Sequence, residues 1–156
     1  MNTLELDRTD LEILRMMQGN ARISNVELAK ALNMAPSGML ERVRKLEQKK
    51  VIESYSTQIN AEALGQKLLA FVSMRVLDGP DYQKTTALLT ALPEVQEVHH
   101  IAGDDCYLVK VRTSDSASLM ALMRNSFSQI PNLISTRTTI VLQTVKETRQ
   151  LVIPEL

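Results

Sequence analysis

The spacing of apolar residues changes near position 50. Before it they recur every three or four residues, the period of an α-helix; after it several segments alternate, the period of a strand. A chain that carries the two rhythms in separate blocks is expected to fold as two units, one helical and one mixed, rather than as one layered core.

The helical block holds three segments. In LELDRTDLEILRMMQGN, Leu11, Leu14 and Met17 share a stripe that Ile13 and Met16 widen, and Asp7, Asp10 and Glu12 suit the positive end of the helix dipole. Gly19 is read as a left-handed C-cap. In SNVELAKAL, Ser24 and Glu27 have the capping-box spacing, so each satisfies an amide at the helix start. Asn33-Met34 is a turn, and Pro36 opens a third helix running to about Gln48. Leu40, Val43 and Leu46 are placed on its inner face, with Ser37, Gly38, Glu41, Lys45 and Lys49 outward and Arg42 and Arg44 on the flanks. VIESYSTQI is read as a strand leaving this unit.

In the second block KLLAFVSMRV alternates, with Leu68, Ala70, Val72, Met74 and Val76 on one face. A Gly-Pro-Asp entry then precedes a helix carrying Leu88, Leu89 and Leu92. VQEVHHIA and CYLVKVRT are strands around a Gly-Asp-Asp turn. Met120, Met123, Phe127 and Ile130 mark another helix, and LISTRTTIVLQTV a final strand. The order βαββαβ predicts a ferredoxin-like unit, an antiparallel sheet with both helices on one face. The expected layout is an α/β two-domain chain: a helix-turn-helix (winged-helix-like) domain over 1–50, a linker strand over 51–65 and an α+β domain over 66–156. Leu69 and Phe71 fall on the sheet's other face, which predicts dimerisation through it.

The formal net charge is zero, yet Arg42, Arg44, Lys45, Lys49 and Lys50 fall within nine consecutive positions, opposed only by Glu47. On the last helix of a helix-turn-helix such a cluster has a use, because that helix enters the major groove and each cation that meets a phosphate releases counterions. Gly38 keeps the surface low, and Ser37 and Glu41 face the base edges. Candidate DNA-contacting residues are Ser24, Ser37, Gly38, Glu41, Arg42, Arg44, Lys45 and Lys49. Double-stranded DNA is the expected partner. Aromatics at 3% and no Trp argue against single-strand binding by stacking.

Other classes are disfavoured. No apolar run approaches the roughly 20 residues of a membrane helix, and the start lacks a signal-peptide pattern, so a cytoplasmic location is expected. One cysteine, Cys106, cannot form an internal disulfide or a multi-cysteine zinc site; it is read as a packing residue, with redox sensing or ligand contact as the alternatives. His99 and His100, adjacent on a strand, point to opposite faces and do not share a metal ion easily. No nucleophile–base set and no phosphate-binding glycine motif is seen, so neither an enzyme nor a cofactor is expected.

The chain resembles the Lrp/AsnC (feast/famine) family of prokaryotic transcription regulators over nearly its whole length. The resemblance rests on Leu6-Asp7-x-x-Asp10-x-x-Ile13-Leu14, Asn20-Ala21-Arg22-x-Ser24-x-x-Glu27-Leu28-Ala29, Arg42-Val43-x-x-Leu46-Glu47 and Val51-Ile52-x-x-Tyr55. In the second block it rests on Leu64-Gly65, Gly103, Tyr107-Leu108-Val109-Lys110-Val111 and Thr138-x-Ile140-Val141-Leu142. It implies a small amino-acid effector at His100, Ala102, Gly103, Asp104, Asp105, Cys106 and Tyr107, with Thr138, and dimers assembling further, commonly to an octamer. The surroundings lean toward an apolar or sulfur-containing amino acid. Three positions depart from the family pattern: Ala35 where Ser often caps the third helix, Lys50 where Gly usually ends it, and Cys106 where Asp is expected. The alternatives are a ligand-independent regulator, whose α+β unit only oligomerises, and a regulatory subunit of an enzyme.

Overall fold

The computed structural model describes residues 5–77 and 82–155. The Gly-Pro-Asp entry expected at 79–81 lies outside them. The chain forms two compact units: one made of 1–58 with 147–156, the other of 59–146. These bounds differ from the expected ones at both ends. Tyr55 donates from its hydroxyl to Glu47 at 2.7 Å, which keeps the start of the linker with the first unit. Residues 147–156, expected with the second unit, pack with the first.

The first unit contains α1 (Arg8–Gly19), α2 (Asn25–Ala31) and α3 (Pro36–Gln48). Ile13, Leu28, Ala29, Met39, Val43 and Leu46 form its core, with Val51 and Ile52 against it. Met39, not Leu40, completes the inner face of α3; Leu40 is 37% exposed. At 100° per residue Met39 lies about 10° from the Val43–Leu46 bisector and Leu40 about 90° away. α1 ends without a left-handed glycine: Gly19 is helical and the chain turns extended at Asn20, φ −147°. No strand forms over 51–59; positions 53–60 are all exposed. The segment has strand composition, but no neighbouring edge pairs with it among the described residues.

The second unit contains β1 (Leu68–Val76), α4 (Tyr82–Thr90), β2 (Val95–His100), β3 (Tyr107–Thr113), α5 (Ser116–Asn125) and β4 (Leu133–Ile140), with single 3₁₀ turns at Glu62–Leu64 and Phe127–Gln129. The order βαββαβ is as read from the sequence. The sheet runs β2-β3-β1-β4 and is antiparallel throughout. Ala70, Val72, Met74 and Val76 of β1 meet Leu89 of α4 and Leu119 and Leu122 of α5 in one core. The final strand is shorter than expected and stops at Ile140. On the sheet's other face Phe71 is half-buried, whereas Leu69 is already buried within the single chain at 6% exposure.

Candidate nucleic-acid interface and effector loop

The turn between α2 and α3 is closed at the backbone. Asn33 sits at φ 50°, its amide donates to the Lys30 carbonyl at 3.4 Å, and the Met34 amide donates to the Ala29 carbonyl at 2.8 Å. This is the Schellman arrangement, in which a left-handed residue lets two amides satisfy the last carbonyls of a helix. α3 ends the same way: the Lys50 amide reaches Glu47 at 3.0 Å and the Val51 amide reaches Leu46 at 2.9 Å. Lys50 stands at φ 58° without glycine's freedom. At its start α3 has Ala35 as N-cap and no side-chain cap; neither Asn33 nor Ser37 replaces the missing serine.

The outward face of α3 presents Ser37, Glu41, Lys45 and Lys49 to solvent, with Arg44 on its flank. No ion pair within the chain holds Arg44, Lys45 or Lys49 among the described residues. A Cβ on Gly38 would meet only Met34 Cε at 3.9 Å, ordinary contact, so packing inside the chain does not require glycine there.

Arg42 and Ser24 stand apart from this set. Arg42 Nη1 donates to Asp7 Oδ2 at 2.7 Å and to Asp10 Oδ1 at 2.8 Å. The remaining oxygens build the capping box of α1: Asp7 Oδ1 accepts from the Asp10 amide at 2.9 Å and Asp10 Oδ2 from the Asp7 amide at 3.3 Å. The Asp10 amide first, and the Arg42 guanidinium second, hold the Asp7 carboxyl below its ordinary range. The two carboxylates raise the Arg42 pKa further through their hydrogen bonds. Arg42 thus ties α3 to the start of α1. Its charge is over-compensated, since one cation faces two anions. Ser24 caps α2: its Oγ accepts from the Glu27 amide at 3.2 Å and donates to Glu27 Oε2 at 2.7 Å, while its own amide donates to that carboxylate at 2.7 Å. The amide and hydroxyl of Ser24 keep the Glu27 carboxyl below its ordinary range.

In the second unit the 101–106 connection links β2 to β3. The Ile101 amide donates to Cys106 O at 2.8 Å, and the Cys106 amide to Met74 O at 2.8 Å, fastening the connection to β1. Gly103 takes φ 144°, where L side chains are rare. Ala102, Gly103 and Asp104 are exposed. Asp105 accepts from Arg137 Nη2 on β4 at 2.7 Å. The Cys106 thiol donates to the Val76 carbonyl at 3.2 Å. Tyr107 is fully buried. The exposed His100 ring stacks on it at 5.0 Å between centroids, with the Tyr82 ring 6.1 Å beyond. Thr138 faces Val72 across β4 and β1, two positions along from Thr136, which faces Met74; its hydroxyl lies 4.0 Å from Met123 Sδ. The connection therefore gathers His100, Asp105, Cys106 and Tyr107 at one end of the sheet. Arg137, which the sequence did not single out, joins them through Asp105.

On the sheet's other face Lys110, buried to 9% side-chain exposure, pairs with Glu97 at 3.1 Å, and His99 lies 3.2 Å from the same carboxylate. His99 and His100 take opposite faces.

Comparison with known proteins matches residues 6–53 to the winged helix-turn-helix DNA-binding family and residues 69–151 to the Lrp/AsnC ligand binding domain. The leucine-responsive regulatory protein of Haemophilus influenzae is 38% identical over 150 residues, covering 95% of this chain and 90% of that protein. Its Escherichia coli (strain K12) counterpart is 38% identical over 151 residues, covering 96% and 92%. Among solved structures, a Neisseria meningitidis transcriptional regulator in complex with L-Met superposes with TM-score 0.88 at 26% identity, covering 95% of this chain and 97% of that one. Escherichia coli AsnC superposes with TM-score 0.86 at 29% identity, covering 96% and 99%. A helix-turn-helix unit with an exposed basic third helix, followed by a βαββαβ unit matching a ligand-binding domain, places this chain in the Lrp/AsnC family of DNA-binding transcription regulators.

Proposed function

We propose that α3 reads duplex DNA in the major groove, and that a small amino acid held around the 101–106 connection changes how readers on separate protomers are presented. The observation that carries the first part is the outward face of α3, where Arg44, Lys45 and Lys49 are exposed and have no ion pair among the described residues. Lys45, Lys49 and Arg44 are assigned to phosphates, Ser37 and Glu41 to base edges, and Gly38 to close approach, a role its open surroundings support. Ser24, at the start of α2, is left out of the contact set, because its hydroxyl and its amide both donate to the Glu27 carboxylate and no donor remains for a phosphate. Arg42 is withdrawn from the contact set, because a cation shared by two carboxylates offers a phosphate no net attraction.

Two protomers packed through the open sheet face would read a roughly palindromic site, and assembly to an octamer extends that arrangement. The amino-acid part rests on the matched ligand-binding domain and on the relatives' names, leucine-responsive in one group and an L-Met complex in another. At the connection, Gly103 permits close backbone approach. Asp104 is the exposed carboxylate for an ammonium group, since Asp105 is engaged by Arg137.

That engagement, with the Cys106 thiol already donating to Val76, favours a second reading: a ligand-independent regulator whose α+β unit only oligomerises. Selection from random duplexes tests DNA reading; it should enrich a two-fold symmetric site, and Lys45→Ala with Lys49→Ala should abolish the enrichment. No enriched sequence refutes the reading. Calorimetry against the twenty amino acids separates the two effector readings. Binding tighter than about millimolar, worth about −4 kcal/mol, supports the effector, and none at that level supports the ligand-independent regulator.

A further inference from the structure

Glu47 is the one anion within the basic run from Arg42 to Lys50. It stands in the last turn of α3, where the negative end of the helix dipole gives a carboxylate no support. At 100° per residue it lies about 60° from Arg44 and nearly one turn on, so the two share a flank of the helix. Opposite charges three residues apart on a helix attract one another. Yet the Glu47 carboxylate is turned elsewhere: its Oε1 accepts from the Tyr55 hydroxyl at 2.7 Å. Arg44 is left exposed, with no ion pair among the described residues. The other flank of α3 shows the reverse arrangement, since Arg42 there is taken by Asp7 and Asp10.

The end of α3 is what brings Tyr55 to Glu47. Lys50, at φ 58°, turns the chain back. The Val51 and Ile52 amides then both donate to the Leu46 carbonyl, at 2.9 and 3.2 Å, and both side chains pack against the core of the unit. Tyr55 follows with its ring half-exposed. Burial first, and the hydrogen bond to Glu47 second, push its hydroxyl up to about 12, so it remains a donor throughout the neutral range. We propose that Tyr55 is a positioning residue for DNA reading: by holding the Glu47 carboxylate it keeps that charge off Arg44 and leaves the guanidinium for a phosphate. This inference rests on the proposed reading of duplex DNA by α3 and adds a residue that touches no DNA itself.

The test measures affinity of the full-length protein for the duplex enriched by selection, at several salt concentrations. Tyr55→Phe removes one oxygen and keeps the ring. The freed carboxylate then competes with phosphate for Arg44. Such pairs are weak on an exposed helix, so the loss should be partial, about twofold per protomer and about fourfold for a dimer. Arg44→Ala sets the full loss, a salt slope lower by about 1.8 in a dimer. Tyr55→Phe should cost nothing further on an Arg44→Ala background. It should also cost nothing on a Glu47→Gln background, where no charge is left to hold, and Glu47→Gln alone should bind at least as tightly as the parent. A loss from Tyr55→Phe that persists in the Glu47→Gln background overturns the positioning role, because a hydroxyl that merely braces the end of α3 would act whatever the charge at 47. Unchanged affinity in Tyr55→Phe, or an unchanged salt slope in Arg44→Ala, overturns it as well while leaving DNA reading by the rest of α3 in place. A parent that binds no duplex overturns the DNA reading and this inference with it.

Discussion

Replacing Arg42 by Gln separates two roles that a basic residue on a recognition helix can have. Its guanidinium is one-third exposed; its partners are Asp7, half-exposed, and Asp10, only 16% exposed. An exposed ion pair is worth about 0.2–1 kcal/mol after screening and side-chain entropy. The Asp7 pair is placed near the low end of that range and the better shielded Asp10 pair near the top. Loss of both, with two carboxylates left side by side, should lower stability by about 1–2 kcal/mol. For DNA the expectation is opposite in kind. Each phosphate contact contributes about 0.9 to the slope of log affinity against log salt. Arg42→Gln should leave that slope unchanged, while Lys45→Ala should reduce it by about 1.8 in a dimer, one contact per protomer. Asp7→Asn is the complementary probe, because Asn caps a helix as well as Asp does while removing one anion beside α3; affinity should hold or rise. Urea denaturation and fluorescence anisotropy at several salt concentrations measure the two quantities. A slope reduced by about 1.8 in Arg42→Gln, with stability intact, would refute the clamp and return Arg42 to the contact set.

Ala35→Ser supplies the cap that α3 lacks and should raise stability by about 1 kcal/mol, measured by the urea midpoint. Lys50→Gly relieves a left-handed φ of 58° and should stabilise by about 0.5–1 kcal/mol net of glycine's extra chain entropy; an unchanged thermal midpoint would contradict it. Asp7, Glu27 and Asp115 all have folded pKa values below their ordinary ones, the last because the Ser118 amide, bonded at 2.7 Å, favours its charged form. A depressed folded value means their stabilisation is complete above the ordinary carboxylate range and is lost as pH falls through the lowered values. Stability should therefore be flat in these groups from neutral pH down to about 5 and decline below about 4, and the decline should be shallower in Arg42→Gln.

Features fixed by neighbours in sequence were legible before the structure. The Ser24–Glu27 capping box, the Asn33 turn and the βαββαβ order each depend on contacts within a few residues or on simple periodicity. Arg42's pairing was not foreseen, for the converse reason. Its partners lie 35 and 32 residues away, and no spacing rule brings them together. Asp7 and Asp10 were read only as anions near a helix dipole, because Asp at N3 is not the Glu or Gln by which a capping box is usually recognised. The segment at 51–59 has the β-branched and aromatic residues of a strand, but a strand also needs an edge to pair with, and composition does not report edges. The contact between α1 and residues 150–154 left no signal, since it is made largely to main chain, and Leu151 and Val152 stay in water. At the 101–106 connection the glycine turn was foreseen, whereas Arg137 was not, being a strand residue that reaches across from β4.

Because residues 147–156 belong to the same compact unit as residues 1–58, the α+β unit is in effect inserted within the DNA-reading unit. During synthesis the three helices leave the ribosome well before their final contacts exist. At about 5–20 residues per second, the intervening 59–146 take roughly 4–18 s to emerge. Through that interval α1 has its own N-terminal capping box but lacks the donor that Gln150 brings to its other end. The helix-turn-helix unit is thus completed only after the α+β unit has been made.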